Sequence, residues 1–293
     1  MIIAALVALS AQTAGWDRPA AAAALSGAEV RAVEVTADGS VWLAVRDRGL
    51  ARVSAGETVW FTVDDGLVSN GIADLHEDSR GRLWAVGAGG YSRREDERWT
   101  GHATIGGLRP PVVFGVSEAP SGAIWLAANG GAGREGREGW QTLTPSDGLP
   151  HQVVHDVVVG REGDVWLACR QGLARVRRGA LDVFHPAVNF RSAALGPDGT
   201  LWFGTPSGLY SFDGDSWGIH FEGEPVFPLL VAADGTLWAG SSGTGLRKWG
   251  ADGWESVALP DDLDGAEVHG LAETPDGSIW VATSRGPARY VGG

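Results

Sequence analysis

Seven residues share one register of an internal repeat, eight positions ahead of a recurring glycine: Arg31, Ala73, Phe114, His155, Arg191, Phe227 and His269. The residues just before them are uniformly apolar: Val30, Ile72, Val113, Val154, Phe190, Val226 and Val268. A register that varies while its neighbour holds constant points to contact with solvent or a ligand. Arginine brings a planar fork matched to carboxylate or phosphate, and phenylalanine brings a flat apolar face. Together they predict a ligand-binding pocket of cationic and aromatic character, made by Arg31, Phe114, His155, Arg191, Phe227 and His269 and suited to a small anionic or planar ligand. The competing expectation is that these side chains only fill a channel and hydrogen-bond nearby loops. Asn129, His151, Arg170, Gln171 and Arg285 lie on the connectors around the same register.

Other chemistry is sparse. His155 and His269 could share a metal, with Asp74 and Asp156 one residue further along, but the spacing lacks a recognisable ligand pattern, and turn or strand-end roles suit the aspartates better. No cofactor or metal is implied. Cys169 is the sole cysteine, so neither an intrachain disulfide nor a multi-cysteine zinc site can form. His76, His102, His185 and His220 fall in different units without ligand spacing, and no nucleophile elbow, phosphate loop or paired-carboxylate motif occurs.

The elements that must position the seven residues come from the repeat itself. Gly-x-[Val/Leu/Ile]-Trp ends at Trp42, Trp84, Trp125, Trp166, Trp202, Trp238 and Trp280, at intervals of 42, 41, 41, 36, 36 and 42 residues. Each unit carries a short apolar segment, a hairpin into the Trp strand, a Gly turn into a third strand such as Gly49–Arg52, and an outer strand with a second aromatic. Those second aromatics are Trp60, Trp99, Trp140, Phe184, Trp217 and Trp254. Short strands with turn signals every 8–12 residues read as all-β structure, and a four-stranded unit near 40 residues reads as a propeller blade. The seventh unit ends before its second aromatic. Trp16 stands 14 residues before Val30, the interval that separates Trp99 from Val113 and Trp140 from Val154. The expected fold is therefore a seven-bladed β-propeller of four-stranded blades over residues 15–293, closed by an N-terminal strand that completes the last blade. The Ala-rich run Ala20–Leu25 falls where other units have a connecting loop.

Fourteen Trp and 45 Gly in 293 residues fit this plan. A Trp repeated at one strand position packs between blades, burying roughly 150–250 Å², or roughly 4–6 kcal/mol before entropy; a carbohydrate-stacking role is the weaker reading. Asp-Gly pairs at Asp38, Asp198, Asp234 and Asp276 mark hairpins rather than calcium loops.

The net charge of −13 argues against nucleic-acid binding over a broad face. Residues 1–14 are apolar and end in small residues, as in a secretory signal lacking its basic start, and are too short to span a bilayer. A periplasmic or secreted location is expected if they are cleaved.

The pattern Gly-x-Leu-Trp-x-Gly-Thr, then Gly-Leu-Tyr, then an aromatic outer strand and Asp-Gly-Leu, resembles the two-component-regulator propeller repeat. Asp198–Phe212, Asp65-Gly66-Leu67 and Asp147-Gly148-Leu149-Pro150 carry it best. The resemblance implies a seven-bladed propeller and a sensing domain of the kind found outside the cytoplasm in membrane-bound histidine kinases, although this chain carries no kinase motif. A more distant similarity is to streptogramin lyases, whose Mg-dependent chemistry uses His and Glu on the central face; no local motif here matches theirs. Three expectations follow: a non-catalytic binding or sensing module, a lyase-like enzyme using His155 and His269, or a protein-interaction scaffold.

Overall fold

The computed structural model describes residues 15–241, 245–250 and 253–292. The apolar segment 1–14, with its possible cleavage, lies outside them. Seven antiparallel four-stranded sheets stand as the blades of a ring. Their inner strands are Val30–Val35, Ile72–Glu77, Val113–Glu118, Val154–Val159, Ser192–Leu195, Leu229–Val231 and Val268–Glu273, which define blades one to seven. The adjoining second strands, from Val41–Val45 to Ile279–Thr283, carry the repeated Trp.

Each of these Trp residues sits in a core shared with the next blade. Trp42 packs with Leu75 and Leu83, Trp84 with Val113 and Ile124, and Trp125 with Val157 and Val165. The series continues through Trp166 with Phe190 and Leu201 and Trp202 with Val226 and Leu237. It ends with Trp238 against Val268 and Ile279, and Trp280 against Val33 and Val41 of blade one. Six of the seven are buried and Trp202 is half-buried, so none forms an exposed stacking surface. The four scattered histidines pack structurally where their contacts are aromatic: His102 stacks on Tyr91 and His185 meets Trp217 edge-on.

The ring closes as the spacing predicts. Trp16 and Asp17 pair antiparallel with Tyr290 and Arg289, so the first strand completes the sheet of blade seven. The Trp16 indole donates to Ala258 O at 2.8 Å, and Arg289 reaches the Asp17 carboxylate at 2.5 Å. Closure removes two open sheet edges. The run after the latch differs from expectation: Ala20–Ala23 forms one helical turn, with Ala22 and Leu25 buried against blade one. Alanine is the best helix former, and the buried side chains fix the turn.

The Asp-Gly hairpins use a three-residue form. Gly39 N–H bonds to Thr36 O and Thr36 N–H to Ser40 O, with only Gly39 at positive φ (79°). The Asp38 carboxylate accepts the Ser40 N–H at 2.9 Å; Asp198, Asp234 and Asp276 do the same for Thr200, Thr236 and Ser278. These carboxylates serve the turn. Among the described residues no group of three or more His, Cys, Asp or Glu side chains is placed to hold a metal.

The second aromatics fall into three registers. Trp99, Trp140, Trp217 and Trp254 pair across from Arg94, Glu135, Phe212 and Trp249, and the equivalent positions in blades one and four are Thr58 and Leu181. Trp60 and Phe184 lie further along their strands, opposite Ala51 and Leu173. Phe184 still joins the aromatic cluster around Trp166.

Candidate functional site

A β-bulge places most of the site. In blades one, two, three, four and seven the ladder between inner and second strand slips by one residue, and the skipped residues are Arg31, Ala73, Phe114, His155 and His269. A bulge leaves its extra residue unpaired and turns it out of the ladder. In blades five and six the equivalent residues precede the ladder. Arg191 donates its N–H to Gly204 O just before the strand begins at Ser192. Phe227 is followed by Pro228, which has no N–H to give, and the strand begins at Leu229.

All seven residues therefore meet at one end of the channel, where they line a mouth of ≈ 330 Å³. Beneath it lies a further ≈ 230 Å³ of channel, walled in part by Asp74, Asp156 and Ser192. Of the flanking connector residues, Arg170 and His151 lie near enough to His155 to act on it electrostatically, though neither lines the mouth. Arg285 is committed elsewhere, donating to Asp264 O. Asn129 and Gln171 do not line the mouth.

The mouth is electrostatically uneven. On blades one and seven the basic side chains already have partners: Arg31 binds Glu29 at 2.5 Å, and His269 Nε2 lies 3.3 Å from Glu267 while its Nδ1 lies 3.1 Å from Val30 O. On blades four and five they are not. Arg191 has no carboxylate partner among the described residues; its nearest polar side-chain contact is His155 Nε2, 3.5 Å from Nη1. Its guanidinium lies over the Phe227 ring at 5.5 Å, and the His155 ring meets Phe114 edge-on at 5.4 Å. Burial first, then Arg191, Arg170 and His151, push the His155 pKa down to about 4. His155 is therefore neutral at pH 7, with Nε2 able to accept from Arg191.

Glu29 and Glu267 were not expected at the site. Their signal was available as Glu-Val-Arg at 29–31 and Glu-Val-His at 267–269, because the two-residue period of extended chain puts the outer members of each triplet on one side.

Asp74 and Asp156 prove to be staples between blades. Asp74 accepts the N–H of Leu75 at 2.9 Å and of Val116 in blade three at 3.1 Å. Asp156 accepts from Val157 at 2.7 Å and from Ala193 in blade five at 2.8 Å. Burial pushes their pKa values up to about 6 and about 7. Lower in the channel wall Glu34 accepts the Glu77 N–H at 2.9 Å and is pushed by burial to about 8.

The comparisons with known proteins bear on the fold. The two component regulator propeller model matches residues 262–285. Those residues hold Asp262 and Leu263 of the connector, the His269 strand and Trp280. No curated protein matches the chain in sequence. Among solved structures, a streptogramin B lyase is 17% identical over 90% of this chain and 93% of its own, with a TM-score of 0.75. Two extracellular domains from B. thetaiotaomicron, assigned to the hybrid two component systems BT3049 and BT4673, each score 0.78. The first is 15% identical over 90% of this chain and 40% of its own, the second 16% identical over 94% and 39%. The chain thus spans about two-fifths of those two chains. At such identities the likeness is one of fold.

Proposed function

We propose that this chain is a non-catalytic binding or sensing propeller that takes a small anionic or planar ligand at the channel mouth. The observation that supports it most is the convergence of seven variable residues on one cavity, with Arg191 left uncompensated in a chain of net charge −13. An arginine kept free of carboxylates beside a phenyl ring is arranged to receive an anion. A place outside the cytoplasm fits this reading, since the resembling domains from B. thetaiotaomicron are extracellular. No helix among the described residues is long and apolar enough to cross a membrane. A thermal-shift screen with anionic metabolites, oligosaccharides and divalent metals tests the reading: an anionic compound should raise the melting temperature of the parent and raise it less for Arg191→Ala. A chain that no compound shifts would overturn it.

One contact favours a second reading, a lyase-like enzyme. Glu267 lies 3.3 Å from His269 Nε2, a carboxylate–histidine pair as in acid–base chemistry, with Nδ1 held at 3.1 Å from Val30 O. His155 has no such partner among the described residues. Under this reading His269→Ala abolishes turnover of a lyase substrate while leaving ligand binding at Arg191 in place. A scaffold using the rim for protein partners predicts that neither substitution changes small-molecule binding.

A further inference from the structure

The ring of the mouth divides into two arcs. Blades three to six present Phe114, His155, Arg191 and Phe227 in unbroken order, two cationic or basic groups between two aromatic rings. The opposite arc holds Arg31 and His269, each already against a glutamate. An incoming anion gains most on the first arc, where no protein carboxylate must be displaced. A cavity of ≈ 330 Å³ lies at the small end of the ligand-pocket range, roughly 300–1,000 Å³.

Resting on the binding role proposed above, we infer that the ligand class is an aromatic carboxylate, its ring held between Phe114 and Phe227 and its carboxylate bridging Arg191 and His155, and that His155 takes up a proton as it binds. A carboxylate accepts hydrogen bonds only. Arg191 can donate to one oxygen directly. His155 Nε2 lies 3.5 Å from Arg191 Nη1, so the same anion meets that nitrogen; it donates as the neutral Nε2–H tautomer or in the protonated ring, and the charge of the anion favours the protonated ring. Burial first, and then the charged groups around it, keep His155 neutral in the empty site. Arg191 comes from blade five, Arg170 from the turn after the second strand of blade four, and His151 from the preceding connector, while blade three offers the uncharged Phe114. Asp156, next in sequence, spends both oxygens on backbone N–H groups. All the facing charge is positive or potentially positive, and an added anion reverses the local balance.

The test is isothermal titration of the full chain with 2-naphthoate at pH 6.5 in two buffers of different ionisation enthalpy. Naphthalene-2-carboxamide serves as the neutral comparison. The expected result is net proton uptake on binding, with affinity rising by up to about tenfold per unit fall in pH, and binding of the carboxamide at least about tenfold weaker. His155→Gln should retain 2-naphthoate through Arg191 but lose both the proton uptake and the pH dependence. Binding without proton uptake overturns the inference while leaving the mouth as a ligand site; the two-buffer measurement on the parent decides this whether or not the variant folds. Equal binding of acid and amide overturns the carboxylate assignment, as does a protein stabilised by another anion but not by 2-naphthoate. If no compound of the wider screen binds, the underlying binding role fails instead.

Discussion

The carboxylate of Asp156 in blade four accepts the backbone N–H of Ala193 in blade five at 2.8 Å, across the seam between two separate sheets. Asp74 repeats the contact to Val116 from blade two to blade three, and His269 reaches back from blade seven to Val30 O in blade one. Counterparts at the far end of the inner strands come from Glu77, Glu118 and Glu273, which accept N–H groups of Ala37, Ser79 and Ala233 in the hairpins of the preceding blades. Apolar packing between blades is non-directional; these bonds fix the height at which each blade meets the next.

Asp156 gives the fold a pH signature. Its folded pKa is raised to about 7 by burial and by Asp74, from an ordinary value of 3.8. Between about pH 4 and about 7 the unfolded chain has released this proton and the folded chain has not, so its contribution to stability falls as pH rises through that window. Asp156→Asn carries no such proton. Its melting temperature relative to the parent should climb from pH 4 to pH 7 and then level off, as followed by thermal melts at stepped pH. His155, with its pKa lowered to about 4, works in the opposite sense, losing stability as pH falls below its ordinary 6.5. It is present in both proteins and cancels from the difference.

Gly115 is required by the same staple. A Cβ there would lie 2.9 Å from Asp156 Oδ1 and 3.3 Å from Asp156 Cα. Gly115→Ala should destabilise by about 1–3 kcal/mol through overpacking. In a urea-denaturation cycle, Gly115→Ala combined with Asp156→Ser should cost less than the two singles added together. Strict additivity would show that the seam has room for the methyl group.

Trp16 holds the latch. It is 5% exposed, lies edge-on to Tyr290 at 5.2 Å and donates to Ala258 O. Trp16→Ala should cost about 3–5 kcal/mol, and removing residues 15–20 should lower the melting temperature further. A truncated chain that melts with the parent would mean that packing between blades one and seven suffices to close the ring.

Cys169 is fully buried at the end of the second strand of blade four, and burial pushes its thiol up to about 12. Because the thiolate is the reactive form, a thiol reagent at pH 8 should leave the native protein unmodified over hours and label it promptly in denaturant. Fast native labelling would show that blade four opens locally.

The blade number, the Trp seams and the N-terminal latch were legible because each rests on a residue type repeated at fixed spacing, with one physical reason for its place. Convergence of the seven register residues was legible for the same cause: one variable position per unit, seven units, one axis. What escaped was anything set by a local slip or by a neighbour in another unit. The bulge that frees Phe114 and His155 has no composition signal of its own. Phe184 satisfied the search for a second aromatic although Leu181 holds the equivalent site, because sequence distance does not report cross-strand register. Asp74 and Asp156 find their partners in other blades, at Val116 and Ala193, and those pairings exist only once the ring has formed.

The antiparallel latch sets how the ring answers force. Gly15 O accepts from Val291 N–H at the same end of the seam, so the two chain ends leave side by side. Tension that draws those ends apart loads the pairs Trp16–Tyr290 and Asp17–Arg289 one after another, as in peeling, rather than all together as in shear. Once those pairs are peeled, it is the packing of blade seven on blade one, Trp280 against Val33 and Val41, that holds the ring closed.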